Sequence, residues 1–388
     1  MTQTRVLRIA MNGITGRMGY RQHLLRSILP IRDQGGITLA DGSKVTVEPI
    51  LIGRNEAKIA ELAALHNVEH YTTDLEGAIN DPSIDIVFDA SMTSLRYNTL
   101  SKAIANGKHV FTEKPTAETL EEAVDLARQA KSAGITAGVV HDKLYLPGLV
   151  KLRRLVDEGF FGRILSMRGE FGYWVFEGEI QEAQRPSWNY RLADGGSMTT
   201  DMYCHWNYVM EGIVGKVKSV NSKTATHIPQ RWDENGEAYE ATADDAAYGI
   251  FELETPGGDD VVAQINSSWA VRVYRDELVE FQIDGTHGSA VAGLNKCVAQ
   301  QRAHTPKPVW NPDLPVTESF RDQWLEVPAN AELDNGFKLQ WEEFLADVVA
   351  GREHRFGLLS AARGVQLAEL GLRSAEERRT IDIPEIEL

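Results

Sequence analysis

The sequence predicts two units in series: an α/β Rossmann-type unit, a parallel doubly wound sheet, over residues 1–142, and an α+β unit with a large, mostly antiparallel, open-faced sheet over residues 143–388. Three observations predict it. Short apolar runs alternate with helical stretches as far as Val140. A glycine-rich turn, Gly13-x-x-Gly16-x-x-Gly19, joins the first apolar run to the first helical stretch. Past residue 142 the runs lengthen and apolar residues alternate with polar ones, the period of a half-buried strand. A chain of 388 residues is long enough for two cores.

Residues 5–11 read as a buried strand, and a helix follows the glycine turn through Leu29. The polar, Gly-containing residues 30–47 read as a loop or hairpin insertion. Strands are expected at 48–53, 85–90, 108–112 and 136–140, with helices at 56–66, 94–105 and 117–133. The last of these has acids early and bases late, which suits the helix dipole. A helix at 149–158 stops at Gly159. Five strands follow, at 164–173, 217–226, 245–253, 261–271 and 278–283. Residues 303–335, rich in Pro, Asn and Asp, read as a surface excursion, and helices at 337–349 and 358–377 close the chain, packing back on the first unit in one arrangement.

Formal net charge is −16 with no basic stretch to offset it. Such a field repels polyanions, so nucleic acid and anionic membranes are not expected partners. The N-terminal residues lack a signal-peptide apolar run, and two cysteines, Cys204 and Cys297, are too few for a disulfide framework. The expected location is the cytoplasm, with free thiols. No HExxH or clustered ligand set suggests a metal.

The turn after the first strand places backbone N–H groups and a helix N-terminus where a pyrophosphate binds, and its glycines permit close approach. The second long strand ends in Gly53-Arg54-Asn55, without the acid that pairs with the ribose of NAD. Arg54 suits a 2′-phosphate, so the cofactor is NAD or NADP with a tilt to NADP. Glu113-Lys114-Pro115 follows a strand at the carboxyl edge of the sheet, where a lysine can draw charge onto a substrate oxygen. Asp201 and His205 lie one helical turn apart, so the acid can orient the ring. Trp188 and Trp206 supply aromatic walls.

Gly107 to Pro115, Ser187 to Arg191 with Gly195-Gly196, Asp201-x-x-x-His205 and Gly285 to Ser289, in this order, make the chain resemble the Gfo/Idh/MocA oxidoreductases nearly end to end. The resemblance implies a nicotinamide cofactor, Lys114 on the reacting oxygen, His205 as proton acceptor or donor, and Asp201 supporting His205 or holding a hydroxyl. Cofactor contacts are expected from Gly13, Thr15, Gly16, Arg17, Met18, Gly19, Gly53, Arg54, Ser91, Thr93, Glu113, Lys114 and His141. Substrate contacts are expected from Lys143, Trp174, Arg185, Trp188, Arg191, Asp201 and His205. A homodimer or homotetramer through the open sheet face is also implied. The chain departs from the family at Ser91 to Arg96, at His141-Asp142-Lys143, and in the insertion at 30–47.

The leading reading is an NAD(P)-dependent dehydrogenase or reductase acting on a secondary alcohol or ketone of a sugar, glycoside or polyol. A second is a redox-neutral glycosidase that oxidises transiently, eliminates, adds water and re-reduces. There the cations Lys143, Arg185 and Arg191 would read an acidic sugar such as a sulfonated glycoside or uronide. A third, a non-catalytic cofactor-binding protein, fits poorly with Lys114 and His205 both in place.

Overall fold

A computed structural model describes residues 4–388. The chain forms two units. The first comprises the chain through Tyr145 together with Leu333–Gln366 and Glu385–Leu388, and the second comprises Leu146–Glu332 and Leu367–Pro384.

The first unit carries a seven-stranded sheet. Its strands are β1 (Thr4–Asn12), β2 (Ile37–Thr38), β3 (Lys44–Ile52), β4 (His70–Thr72), β5 (Ile86–Asp89), β6 (His109–Thr112) and β7 (Ala137–Val139). The spatial order is β2-β3-β1-β5-β6-β7, with β4 also beside β3, and only β2 runs antiparallel. The order reverses between β1 and β5, the switch point where open α/β sheets bind ligands. Leu7, Ile9, Ala10 and Met11 of β1 are fully buried, as both faces of a parallel sheet require.

Helices α1 (Leu29–Asp33), α2 (Glu56–Leu65), α3 (Leu75–Asn80), α4 (Thr93–Ala105) and α5 (Leu120–Ala133) connect the strands. Side-chain caps start three of them: Asn55 accepts the Lys58 N–H (3.0 Å), Asp74 that of Gly77 (2.8 Å) and Thr119 that of Glu122 (3.2 Å). On one face of the sheet Phe88 and Phe111 pack with Trp341, Phe344 and Val348. On the other, Val87, Val110, Leu100 and Leu126 pack with Leu358, Ala362 and Val365.

The sequence reading needs three corrections here. Residues 30–47 are not a plain insertion loop: the helix continues to Asp33, since Pro30 sits in its first turn where no N–H is required, and β3 begins at Lys44 rather than at residue 48. The helix expected from Ala117 begins at Leu120, because Thr119 caps it. Strand β4 and helix α3 went unread, being short and polar. Residues Met18–Ile28 are helical as expected, but wound as a π-helix.

In the second unit, α6 (Pro147–Asp157), β8 (Ile164–Gly172), α7 (Met198–Ile213) and β9 (Lys216–Ala225) precede the hairpin β10 (Gln230–Trp232) and β11 (Ala238–Glu240). Strands β12 (Ala246–Glu254), β13 (Asp260–Ser268), β14 (Val279–Gly285), β15 (Gly288–Ala292), β16 (Cys297–Gln301) and β17 (Leu325–Glu326) follow. Helices α8 (Gly336–Ala350) and α9 (Leu358–Glu377) and strand β18 (Ile381–Asp382) end the chain.

The nine-stranded order is β17-β16-β15-β14-β8-β13-β12-β9-β18, antiparallel throughout except β8 against β13. Alternation is clean along β12 and most of β13: Phe251, Leu253, Val261 and Ala263 are buried, while Tyr248, Ile250, Glu252, Val262 and Gln264 are exposed. One face is therefore covered and the other open.

Candidate active site

The first unit builds a cradle at the carboxyl ends of β1 and β5. Gly13 takes φ +79°, and a Cβ there would lie 2.5 Å from the carbonyl carbon of Ala90. A Cβ on Gly19 would lie 2.4 Å from the Gly13 oxygen. Only glycine lets the turn pack this tightly on the strand ends and leave its N–H groups accessible to a phosphate. Gly16 closes the turn by donating its N–H to Gly13 (3.0 Å).

Asp89, the last residue of β5, is fully buried and organises the adjoining loop. It accepts from Asn12 Nδ2 (2.7 Å), from Ser91 N (3.0 Å) and Oγ (2.8 Å), and from Arg96 Nε (3.3 Å). Arg96 also donates to the carbonyls of Ser91 (2.6 Å) and Pro115. The departing Ser91 to Arg96 segment is thus held by its own buried charge pair. Thr93 begins α4. At the end of β3, Gly53 packs against Ile59 and Thr15, and Arg54 is exposed. Lys58, four residues along the chain from Arg54, reaches the Thr15 carbonyl (3.3 Å). Arg17 precedes Met18, where the π-helix begins.

Lys114 is half-buried, one residue past Glu113, and its peptide bond to Pro115 is cis. Glu113 is buried against His23 (2.9 Å), whose Nδ1 accepts from the Trp341 indole (3.0 Å). An indole only donates, so the His23 proton sits on Nε2 and is given to Glu113. Burial alone would raise the Glu113 pKa. The His23 hydrogen bond and the charges of Arg96 and Lys114 outweigh burial and hold it below the ordinary carboxylate value. Glu113 is therefore an anion in the core that anchors the backbone leading into Lys114.

His141 follows β7. Its backbone N–H meets Gln340 Oε1 (2.8 Å), and its ring lies against Phe356. Burial, then the cationic surroundings of His354, Arg355 and Lys143, push its pKa well down, so it stays neutral. Lys143 faces Asp142 (3.6 Å). Glu343, Asp347 and His354 lie within 4.8 Å of one another, and Arg355, Arg352 and Tyr145 already pair with the two carboxylates.

In the second unit Ser197 caps α7 by accepting from Thr200 N (3.0 Å). Gly196 is forced by close approach: a Cβ there would lie 2.3 Å from the Trp188 carbonyl. Along α7, Asp201 faces Arg185 (3.6 Å), and the His205 Nδ1 lies 2.7 Å from the Tyr208 hydroxyl. His205 and Tyr208 are both buried. Arg185 stacks over Trp269 (4.2 Å) and reaches Tyr173 and Asn189 (3.4 Å each). Arg191 stacks on Tyr239 (4.4 Å), and Arg272 stacks on Trp174 (4.0 Å). Trp188 is half exposed, whereas Trp206 is sealed in the core with its indole on Ser267 (2.8 Å). Burial pushes the Tyr190 hydroxyl up to about 12 against the pull of Arg231 and Arg185. Arg185, Asp201 and His205 thus sit in one neighbourhood of aromatic rings and charged hydrogen-bonding groups, the surfaces a sugar ring uses.

Sequence reasoning missed Tyr208, although its spacing of three from His205 on a helix was readable. It also missed Arg231, which is sealed against Asp245 (3.2 Å) and stacked on Tyr190 (3.7 Å), and the His23–Glu113 pair. Cys204 and Cys297 are buried free thiols. No helix among the described residues is long and apolar enough to cross a membrane.

Residues 7–141 match the model of an oxidoreductase family with an NAD-binding Rossmann fold, and residues 149–291 match the GFO/IDH/MocA C-terminal domain. A D-xylose dehydrogenase of Paenarthrobacter nicotinovorans is 83% identical over 388 residues, all of both chains. A levoglucosan dehydrogenase of Pseudarthrobacter phenanthrenivorans is 29% identical over 63% of this chain and 64% of its own. The solved structure of a levoglucosan dehydrogenase in complex with NADH and levoglucosan has a TM-score of 0.78 at 21% identity, covering 99% of this chain and 100% of that one.

Proposed function

Because the chain belongs to the Gfo/Idh/MocA family of NAD-binding oxidoreductases, we propose that it is a sugar dehydrogenase whose substrate is D-xylose. The observation that carries this reading is the 83% identity, end to end, to a D-xylose dehydrogenase. The cradle of Gly13, Gly16 and Gly19 fits a pyrophosphate, with Thr15, Arg17, Met18, Ser91 and Thr93 around it. The bound nicotinamide supplies the acceptor for the hydrogen leaving the sugar carbon.

In this proposal the Lys114 ammonium holds the reacting oxygen and stabilises its growing negative charge. His205 takes the hydroxyl proton at Nε2. The proposal assigns the ring hydrogen to Nδ1, donated to the Tyr208 oxygen 2.7 Å away, which puts the accepting lone pair on Nε2. Asp201 and Arg185 orient neighbouring hydroxyls, and Trp174, Trp188, Arg191 and Lys143 border the sugar. A cytoplasmic location is part of the reading, supported by the free thiols, and so is a homo-oligomer through the open sheet face.

The test is absorbance at the reduced nicotinamide band with a panel of pentoses, hexoses and polyols. Turnover with D-xylose is expected, and no turnover across the panel overturns the reading. The redox-neutral glycosidase is not favoured, since the relative that is 83% identical from end to end is a dehydrogenase. Aglycone release from a chromogenic glycoside without net reduction would revive it.

Two further outcomes are expected. Tyr208→Phe should lower kcat by about tenfold, a fraction of what general acid–base catalysis supplies, with KM for the sugar nearly unchanged. An unchanged kcat removes Tyr208 from the mechanism. At the cofactor rim, Arg54 and Lys58 support use of NADP alongside NAD. Arg54→Ala should cut kcat/KM with NADP roughly tenfold or more, the size of a charge-assisted hydrogen bond, and spare NAD. Equal losses with both cofactors would refute a 2′-phosphate contact.

A further inference from the structure

We propose that residues 306–324 form an arm with which this chain grips a second copy of itself. The proposal deepens the oligomer reading above and rests on it. The segment leaves the outer edge of the nine-stranded sheet after β16 and returns as β17. Pro306, Pro308, Pro312 and Pro315 put four of the chain's 14 prolines within ten residues. Among the described residues, its hydrogen bonds stay local: Asn311 N–H to Val309 (3.1 Å), Leu314 N–H to Asn311 (3.2 Å), Ser319 Oγ to Asp322 (2.7 Å).

Among the described residues no hydrogen bond or ion pair ties the segment to the rest of the chain, yet it holds apolar side chains in water. Trp310 is 98% exposed, Val309 73%, Val316 70%, Leu314 57% and Phe320 51%. Five large apolar side chains exposed within twelve residues exceed the scattered singles normal for a surface and point to an interaction site. The prolines fix φ in advance, so docking orders little backbone that is not already ordered.

The area selects the occupant. A covered aromatic side chain hides roughly 150–250 Å², so these five side chains offer on the order of 500 Å² per arm. Two arms docked reciprocally, counted with the surface they cover, reach the roughly 1,200–2,000 Å² of a stable interface. Such reciprocity is what a two-fold pair of identical chains provides. The same chain also exposes a receiving surface. Ile250 (51% exposed) and Val262 (53%) are diagonal neighbours on the open face, beside Tyr248. A net charge of −16 on each copy means that the contact must be apolar rather than charge-driven.

The test is sedimentation and light scattering of the full chain across a concentration series. The variants are Trp310→Ser with Phe320→Ser, Ile250→Glu, and the control Leu65→Ser, an exposed apolar residue outside the arm. The parent and the control are expected to be oligomeric. The arm double variant should dissociate at a concentration at least about 100-fold higher, with unchanged circular dichroism, because all the altered arm side chains are at least half exposed. A monomeric parent overturns both the arm and the oligomer reading. A parent oligomer that survives the arm variant but is lost in Ile250→Glu overturns the arm alone.

Discussion

Lys114→Ala is expected to lower kcat/KM by roughly 10³-fold, the loss that follows removal of one donor aimed at a developing oxyanion. NAD affinity should stay within a few-fold, because the Gly13–Gly19 cradle and the Asp89 network do not depend on the lysine side chain. Steady-state kinetics and a fluorescence titration of NAD check the two halves separately. Lys114→Arg should rescue little. A planar guanidinium presents its donors in a fork and cannot replace a compact ammonium at a single oxygen. Activity within tenfold of the parent in Lys114→Ala would remove the lysine from the chemistry.

The second large effect is on stability. Arg231→Leu should destabilise the second unit by about 3–5 kcal/mol, because it strands the Asp245 charge in the interior. Both side chains are essentially sealed from solvent, so the small values typical of surface pairs do not apply. Asp245 also accepts the N–H groups of His227 (2.8 Å) and Ile228 (3.0 Å), which ties the chain before β10 to the start of β12. At about 2–4 °C per kcal/mol for a unit of this size, the melting transition should fall by on the order of 10 °C. Calorimetry measures it. Adding Asp245→Asn to Arg231→Leu should recover part of the loss. An Arg231→Leu protein that melts with the parent would show that the pair contributes nothing net.

The fold class was legible because both periodicities are strong: continuous apolar runs such as 5–11 specify a buried parallel strand, and the alternation along 245–253 specifies a half-covered one. Short polar elements were not. Strand β4 has three residues, and α3 is set by one cap, Asp74, whose partner lies in a helix too short to show a period. In the candidate site, Lys114, Asp201 and His205 are proposed from motif order and helical spacing. The Tyr208 contact was readable in spacing but not in identity, since a tyrosine beside a tryptophan on an apolar helix reads as core. His23–Glu113 and Arg231–Asp245 were invisible. Their partners are 90 and 14 residues apart, and only the closed fold brings them together.

The His23–Trp341 hydrogen bond joins residues 318 positions apart within the first unit. Trp341, Phe344 and Val348, which cover one face of that unit's sheet, emerge from the ribosome only after the whole span Leu146–Glu332 of the second unit has been made. At roughly 5–20 residues per second, the apolar face of the nascent sheet waits about 10–40 s for its cover. Order of synthesis and order of covering are thus uncoupled: the sheet translated first gains its cover only after most of the second unit has been made.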